Sequence, residues 1–131
     1  MSELHAVSGG VCRMLRLEGL ALLTAAVTAF AMTGGDWKLF AILFLVPDLS
    51  FIAFLFGPRA GAAAYNAMHS TPGPLALGLA AVLIAQPLAV AIALIWLAHV
   101  GFDRALGYGL KYATGFADTH LGRIGRKPAT I

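Results

Sequence analysis

Residues 37–56 read WKLFAILFLVPDLSFIAFLF, and this stretch decides the fold. Lys38 and Asp48 are its only charged residues, and its length matches the ~20 mostly apolar residues that an α-helix needs to cross a bilayer. Trp37 and Lys38 stand at its start, where aromatic and basic side chains anchor a helix at the membrane surface. The stretch therefore predicts a transmembrane helix.

The composition of the whole chain agrees with a membrane protein. Of 131 residues, 60% are hydrophobic and 11% are charged, whereas a soluble domain is about half apolar and about a quarter charged. The lipid bilayer is therefore the expected partner. The net charge of +3 lies mostly near the chain ends rather than in a basic stripe, so we expect no nucleic-acid partner. Cys12 is the only cysteine, which excludes an intrachain disulfide and a thiolate metal cluster.

Three further apolar segments flank the deciding stretch, at residues 11–32, 60–85 and 87–102. The prolines and glycine of residues 70–74 must interrupt the third segment, because proline cannot continue a helical hydrogen-bond ladder. The prediction is an all-α integral membrane bundle in a single domain, 1–131, with four transmembrane helices and a broken third helix. The alternative is three spans, with residues 75–100 forming one long tilted helix. Residues 103–131 are expected to form an interfacial tail.

The basic residues choose between these topologies. Arg13, Arg16 and Arg59 stand at helix ends, and five more basic residues follow the last span: Arg104, Lys111, Arg123, Arg126 and Lys127. Four spans place all of them on one side of the membrane. This favours four spans, because the cytoplasmic loops of membrane proteins carry an excess of Lys and Arg. The sequence therefore predicts a multi-pass protein of the cell membrane with both termini in the cytoplasm.

Four polar residues in the apolar segments are costly and predict a site. An ionisable side chain at membrane depth costs ~2.5–3.5 kcal/mol on insertion. Asp48 follows Pro47, His69 precedes the break in the third segment, and His99 and Asp103 share a helix face at i, i+4. Two imidazoles and two carboxylates suit Zn²⁺ or another first-row divalent ion. The alternative is a hydrogen-bond network that ties the helices together without a metal.

Other polar residues are weaker candidates. Glu18, in the first span, is a candidate general base or network residue. Asn66 shares a helix face with His69 at i, i+3, and is a candidate binding residue. Arg104, Tyr108 and Lys111 would share a face of a continuing helix and could hold an anion. Anchoring of the tail at the membrane surface is the alternative for these three.

The chain resembles a bacterial family of small integral membrane proteins whose function is unknown. The resemblance covers about Arg13 to Gly122, and it rests on RLEG at 16–19, PD at 47–48, YNAMHS at 65–70, WLAHVGFDR at 96–104 and GYGLKY at 107–112. It implies a helical membrane protein and no established activity.

A second resemblance is to the YdjM-type membrane-bound metal-dependent hydrolases. Pro47-Asp48, His69-Ser70 and the His99-to-Asp103 pair occur in the same order as segments of that family. Leu49 and Ser50 replace its aspartate-rich extension, and Tyr65 or Asn66 stands where it has a further histidine. This resemblance implies a metal-dependent hydrolase.

Two functions stay open at this point. The first is a non-catalytic subunit, or a protein that binds a small molecule or a partner through a buried polar site. The second is a membrane-embedded metal-dependent hydrolase acting on a lipid-phase or phosphorylated substrate, in which a divalent ion such as Zn²⁺ activates water. A homo-oligomer or another membrane protein is a possible partner in either case.

The topology can be tested with reporter fusions. We expect an alkaline phosphatase and fluorescent-protein pair fused after Ile131 to report a cytoplasmic location, because four crossings return the chain to its starting side. The same pair inserted at Gly34 should report the opposite side. An external signal from the fusion after Ile131 would contradict the four-span prediction and favour three spans.

Overall fold

The computed structural model describes residues 9–111 and 118–123. Within them the chain forms five α-helices, one 3₁₀ segment and a two-stranded ladder. Tyr112, with much of the predicted tail at 103–131, lies outside the described residues, as do both chain termini.

The first helix, α1, spans Gly9–Met32 and begins two residues before the predicted span. It ends where Thr33 donates its hydroxyl to the carbonyl oxygen of Phe30 at 2.5 Å, and Gly34 takes a φ of 69°. A positive φ is readily adopted only by glycine, so this residue allows the chain to reverse.

The deciding stretch is helical throughout but changes type near its middle. Helix α2 covers Trp37–Phe44, and its N-cap Asp36 accepts a hydrogen bond from the Lys38 amide at 2.9 Å. A 3₁₀ segment then runs over Val46–Phe56. The change occurs at Pro47, which has no amide hydrogen for an α-helical bond.

The predicted break of the third segment is confirmed. Helix α3 spans Pro58–Met68 and helix α4 spans Pro72–Leu83, so the chain leaves helical geometry over 69–71. Helix α5 covers Pro87–Leu106, one turn beyond the predicted end at residue 102, because Gly107 with a φ of 92° is the residue that terminates it.

Among the described residues, three helical stretches are long and apolar enough to cross a membrane: Gly9–Met32, Trp37–Phe56 and Pro87–Leu106. With 11 and 12 residues, α3 and α4 are each too short to do so alone. Large apolar side chains face outward, including Leu55, which is 84% exposed, and Leu83, which is 76% exposed. An all-α membrane bundle is therefore confirmed, with an outer surface suited to lipid contact.

Helix α5 is the centre of the bundle, with α1, α2 and α4 packed against it. Phe30 of α1 packs with Ala91 and Ile95 of α5 in the core. Nearer the other end of α1, a Cβ atom added to Gly101 would lie 2.6 Å from the backbone nitrogen of Leu23 and 2.7 Å from the carbonyl oxygen of Gly19. The two helices are thus antiparallel, and glycine at their crossing permits backbone contact.

The remaining contacts bring the two interrupted segments to the same level of the bundle. The ring of Phe44, at the end of α2, lies 4.9 Å from that of His99 on α5. The 3₁₀ segment continues beyond this point, and α3 returns beside it, with Phe51 stacked on Tyr65. Both interruptions therefore lie beside the last two turns of α5.

The described part of the tail folds back on the helices. Strand β1, Asp118–Thr119, pairs antiparallel with β2, Gly122–Arg123, and Lys111 forms an isolated bridge with Thr119. Asn66 of α3 donates its amide to the Lys111 carbonyl at 2.8 Å and accepts the Lys111 backbone N–H at 2.6 Å. This pair of bonds fixes the start of the tail against α3.

The crossing of α1 and α5 predicts the effect of a single methyl group. We expect Gly101→Ala to lower stability by about 1–3 kcal/mol, because the new Cβ would overlap the backbone of α1 and force the helices apart. The measurement is the thermal unfolding midpoint of the purified protein in detergent. Gly10→Ala is the matched control, since nothing lies within 4 Å of its added Cβ. Equal midpoints for the two variants would contradict this account of the crossing.

Candidate metal centre

Four side chains from three parts of the chain meet where the two interruptions face α5. Asp48 lies in the first turn of the 3₁₀ segment, and His69 is the residue that caps the C-terminus of α3. His99 and Asp103 stand on successive turns of α5. One ligand atom of each residue lies within 4.8 Å of the ligand atoms of the other three.

Five of the distances between these atoms are nearly equal. The Nε2 of His69 lies 3.1 Å from Asp48 Oδ1 and 3.3 Å from Asp103 Oδ2. The Nε2 of His99 lies 3.3 Å from each of the same two oxygens. The two Nε2 atoms are 3.1 Å apart. The four atoms therefore surround a common centre rather than forming separate pairs.

Each imidazole is oriented by a backbone carbonyl on its far side. The Nδ1 of His69 lies 2.9 Å from the Tyr65 carbonyl oxygen, and the Nδ1 of His99 lies 2.5 Å from that of Phe44. A carbonyl only accepts, so both Nδ1 atoms carry hydrogen, and in a neutral ring Nε2 then presents a lone pair to the centre. This is the arrangement by which a metal-binding histidine is held by its outer hydrogen bond.

The carbonyl that orients His99 is made available by Pro47. In an α-helix the Phe44 carbonyl would accept the amide of Asp48, but that amide bonds to Leu45 at 3.1 Å instead. Pro47, one residue earlier, has no amide hydrogen to offer. The change to 3₁₀ geometry thus both turns Asp48 inward and frees the acceptor for His99.

The end of α3 is held by two side chains of α5. Trp96 donates its indole N–H to the Met68 carbonyl at 2.6 Å, and Arg104 donates to the His69 carbonyl at 2.8 Å. The last carbonyls of a helix lack partners within the helix, so these bonds compensate the break. They also fix the backbone that carries His69.

The cluster is closed on one side and open on the other. The side chains of His69 and His99 are 0% and 2% exposed, and that of Asp103 is 13% exposed, whereas that of Asp48 is 42% exposed. A molecule from outside can therefore approach along Asp48, while the other three side chains lie in the packed interior.

An aromatic stack backs His69 and connects it to the tail. The rings of Tyr65 and His69 are stacked with centroids 3.8 Å apart. The ammonium group of Lys111 lies 4.5 Å above the ring of Tyr65 and 5.8 Å from that of Phe51. Burial lowers the pKa of Lys111 to about 8. Lys111 is thus part of the wall behind the cluster, at the point where the tail joins α3.

The residues expected to hold an anion lie close to the cluster but do not share a helix face. Helix α5 ends at Leu106, so Tyr108 and Lys111 do not continue the face of Arg104, and the expected i, i+4, i+7 geometry was wrong. Arg104 binds the backbone carbonyls of His69 and Tyr108, and Asn66 binds the backbone of Lys111. These contacts connect the tail to the helices. Two predictions stay untested: anion binding at Arg104, Tyr108 and Lys111, and ligand binding at Asn66.

Glu18 is not a member of the four-residue cluster. It is exposed on α1 and lines a cavity of about 250 Å³ together with Thr71 and Arg104. Its role as a general base stays a prediction.

Sequence reasoning missed the groups that orient the ligands. The carbonyls of Phe44 and Tyr65 act through the backbone, and side-chain patterns do not show them. Pro47 was the one signal, since a proline in a helix always leaves an acceptor one turn earlier without its donor. The sequence indicated Trp96 only as an apolar residue, although its indole N–H donates a hydrogen bond to the end of α3.

A family described as Domain of unknown function (DUF4260) matches residues 12–124. No curated protein and no solved structure matches the chain, so the likeness to the YdjM-type hydrolases finds no support among known proteins.

Proposed function

We propose that this chain, which belongs to the family Domain of unknown function (DUF4260), is a membrane protein that binds one divalent transition-metal ion, preferentially Zn²⁺, at Asp48, His69, His99 and Asp103. The observation that carries the proposal is the set of five ligand-atom distances between 3.1 and 3.3 Å. A tetrahedron whose corners lie ~2.0–2.1 Å from a central ion has edges of about 3.3–3.4 Å. Five of the six edges of the cluster therefore have about the length expected for a zinc site, the sixth, from Asp48 to Asp103, is within 4.8 Å, and the donor types are those of such a site.

Charge supports the same proposal. With both Nδ1 atoms protonated, two neutral imidazoles and two carboxylates direct lone pairs at one centre and carry a net charge of −2. Such a group in an apolar bundle needs cations, because uncompensated buried charge is strongly unfavourable. One Zn²⁺ neutralises it completely. One proton shared between the two Nε2 atoms is the alternative, and it would leave a net charge of −1 on the group.

The course of the chain supports a location within the membrane. Asp48 meets His69 and Phe51 meets Tyr65, so α3 runs antiparallel to the 3₁₀ segment. A Cβ atom added to Gly73 or Gly78 of α4 would meet Trp96 or Ala93, so α4 runs antiparallel to α5. We infer that α3 and α4 together make a fourth crossing, which neither could make alone. Arg13 and Arg16 then mark the cytoplasmic end, with both termini inside the cell. The metal site lies nearer this end. The protein itself is a non-catalytic subunit, or it binds a partner or a small molecule through this site.

Metal content tests the proposal directly. We expect the protein purified in detergent to contain about one equivalent of zinc by elemental analysis, or to take it up in titration. His99→Gln and Asp103→Asn should lower the affinity at least about 100-fold, because each removes a direct ligand and loss of an outer partner alone costs 10–100-fold. The affinity should fall as the pH falls, since protons compete for the same atoms.

His120→Gln and Asp36→Asn are the matched controls, because these residues carry the same functional groups and lie outside the cluster. They should leave the metal content unchanged. Folded protein that binds no zinc, cobalt or manganese at neutral pH would contradict the proposal.

The exposure of Asp48 favours a second candidate function, hydrolysis by metal-activated water. The three buried ligands would hold the ion, while Asp48, at 42% exposure, would yield its position to water or to a lipid-phase or phosphorylated substrate. A bound ion lowers the pKa of water to ~7 and polarises the group under attack.

Cobalt substitution tests whether the coordination is open. We expect azide to change the visible absorption of the Co²⁺ protein, because an exposed ligand position admits an external anion. Asp48→Asn should keep its metal more readily than His99→Gln and should increase the azide response. A spectrum that azide leaves unchanged in both the wild type and Asp48→Asn would exclude the hydrolase, while leaving metal binding intact.

A further inference from the structure

A second polar feature lies away from the metal cluster, at the basic end of the bundle. A groove of about 410 Å³ runs between the start of α1 and the end of α5. Its lining residues are Arg13, Arg16, Leu17, Leu20 and Ala105. The groove thus combines two guanidinium groups with an apolar wall.

The two arginines have little anionic compensation from the chain. Arg16 donates its Nε to the Ala105 carbonyl oxygen at 3.1 Å. Within residues 9–111 and 118–123, neither Arg13 nor Arg16 forms an ion pair. Glu18, the acidic residue closest to them along α1, lines a different cavity with Thr71. Two like charges at i, i+3 repel each other, so an anion from outside would relieve this repulsion.

The order of the groove residues along α1 matches the order of groups in a phospholipid. Positions 13, 16, 17 and 20 follow the i, i+3, i+4, i+7 pattern of one helix face. The arginines stand nearest the start of the helix, where it enters the membrane, and the exposed side chains of Leu17 and Leu20 follow toward its middle. The charged headgroup of a phospholipid would therefore lie beside the arginines, and its acyl chain would lie beside the leucines.

We propose that this groove binds one anionic phospholipid from the leaflet at the N-terminal end of α1. Its phosphate lies between Arg13 and Arg16, where guanidinium groups make charge-assisted hydrogen bonds to the phosphate oxygens. One acyl chain covers Leu17 and Leu20. The proposal does not depend on the metal site, since no residue is shared between the two.

Lipid titration followed by native mass spectrometry tests the proposal. The probes are phosphatidylglycerol and phosphatidylcholine with identical acyl chains, added to detergent-purified protein. We expect one phosphatidylglycerol to bind at least about ten-fold more tightly than phosphatidylcholine. Each basic residue near an anionic surface contributes about five-fold, so Arg13→Gln should lose about five-fold and Arg13→Gln with Arg16→Gln about 30-fold.

Arg59→Gln is the charge-matched control, because Arg59 is exposed at the start of α3 and does not line the groove. It should leave the preference unchanged. Arg13→Gln alone keeps the Arg16–Ala105 bond, so it tests the site even if the double variant fails to fold. Leu17→Ser with Leu20→Ser should also weaken lipid binding, because a headgroup without its chain loses the apolar contact.

Three results would overturn the proposal. Equal affinity for the two lipids in the wild type would show that charge is not recognised. Displacement of the lipid by millimolar inorganic phosphate, with no effect of the leucine variants, would identify a phosphate site instead. A dimer mass that persists without lipid and is lost in Arg13→Gln would assign the groove to a second copy of the chain.

Discussion

The whole site depends on one constraint, that proline at position 47 cannot donate a backbone hydrogen bond. In water a freed carbonyl is solvated, but in an apolar bundle it needs a partner from the protein, since an unsatisfied group there costs several kcal/mol. The Phe44 carbonyl finds that partner in His99. The same tightening into 3₁₀ geometry places Asp48 in contact with both histidines. One missing amide hydrogen therefore positions two of the four residues of the cluster.

The break after α3 follows the same logic with different groups. The chain leaves its helix at His69, so the carbonyls of Met68 and His69 have no partner within the helix. Trp96 and Arg104 donate hydrogen bonds to them. Both supporting residues belong to α5, which also carries His99 and Asp103. The helix that supplies two residues of the cluster thus also fixes the backbone of a third. Non-helical backbone at membrane depth is tolerated only when it is buried in protein in this way.

The sequence predicted the parts of the fold that long-range hydrophobicity and proline determine. The apolar segments marked the helices, and residues 70–74 marked the break, because both features act over many residues or through an absolute rule of backbone chemistry. The last helix was predicted one turn short because the prediction followed the apolar segment 87–102, whereas Gly107 is the residue that ends the helix. A charged residue is a weaker terminator than a glycine with positive φ, because its side chain can turn inward to a site.

The close contact of α1 and α5 was beyond sequence reasoning for a different reason. Gly19 and Gly101 carry no local sequence signal of a helix contact, and only the assembled bundle shows that they meet. The same holds for Asn66, whose two bonds to the Lys111 backbone depend on the path of the tail. Cost arguments located the polar residues that matter, since each needs a partner in an apolar bundle. They also grouped Asp48, His69, His99 and Asp103 as one site, but they could not give the distances or the backbone partners, because these are properties of helix packing.

One continuous set of side-chain and backbone contacts connects the four-residue cluster to the tail. His69 stacks on Tyr65, Tyr65 lies beneath the Lys111 ammonium, and the backbone of Lys111 is bound by Asn66. A metal at the cluster would cross-link the 3₁₀ segment, the end of α3 and α5, and would stabilise the folded state in proportion to its occupancy. Because α3 carries both His69 and Asn66, fixing one end of this helix also restricts the surface on which the tail docks. A bound metal and the tail would therefore act on the same helix of 11 residues.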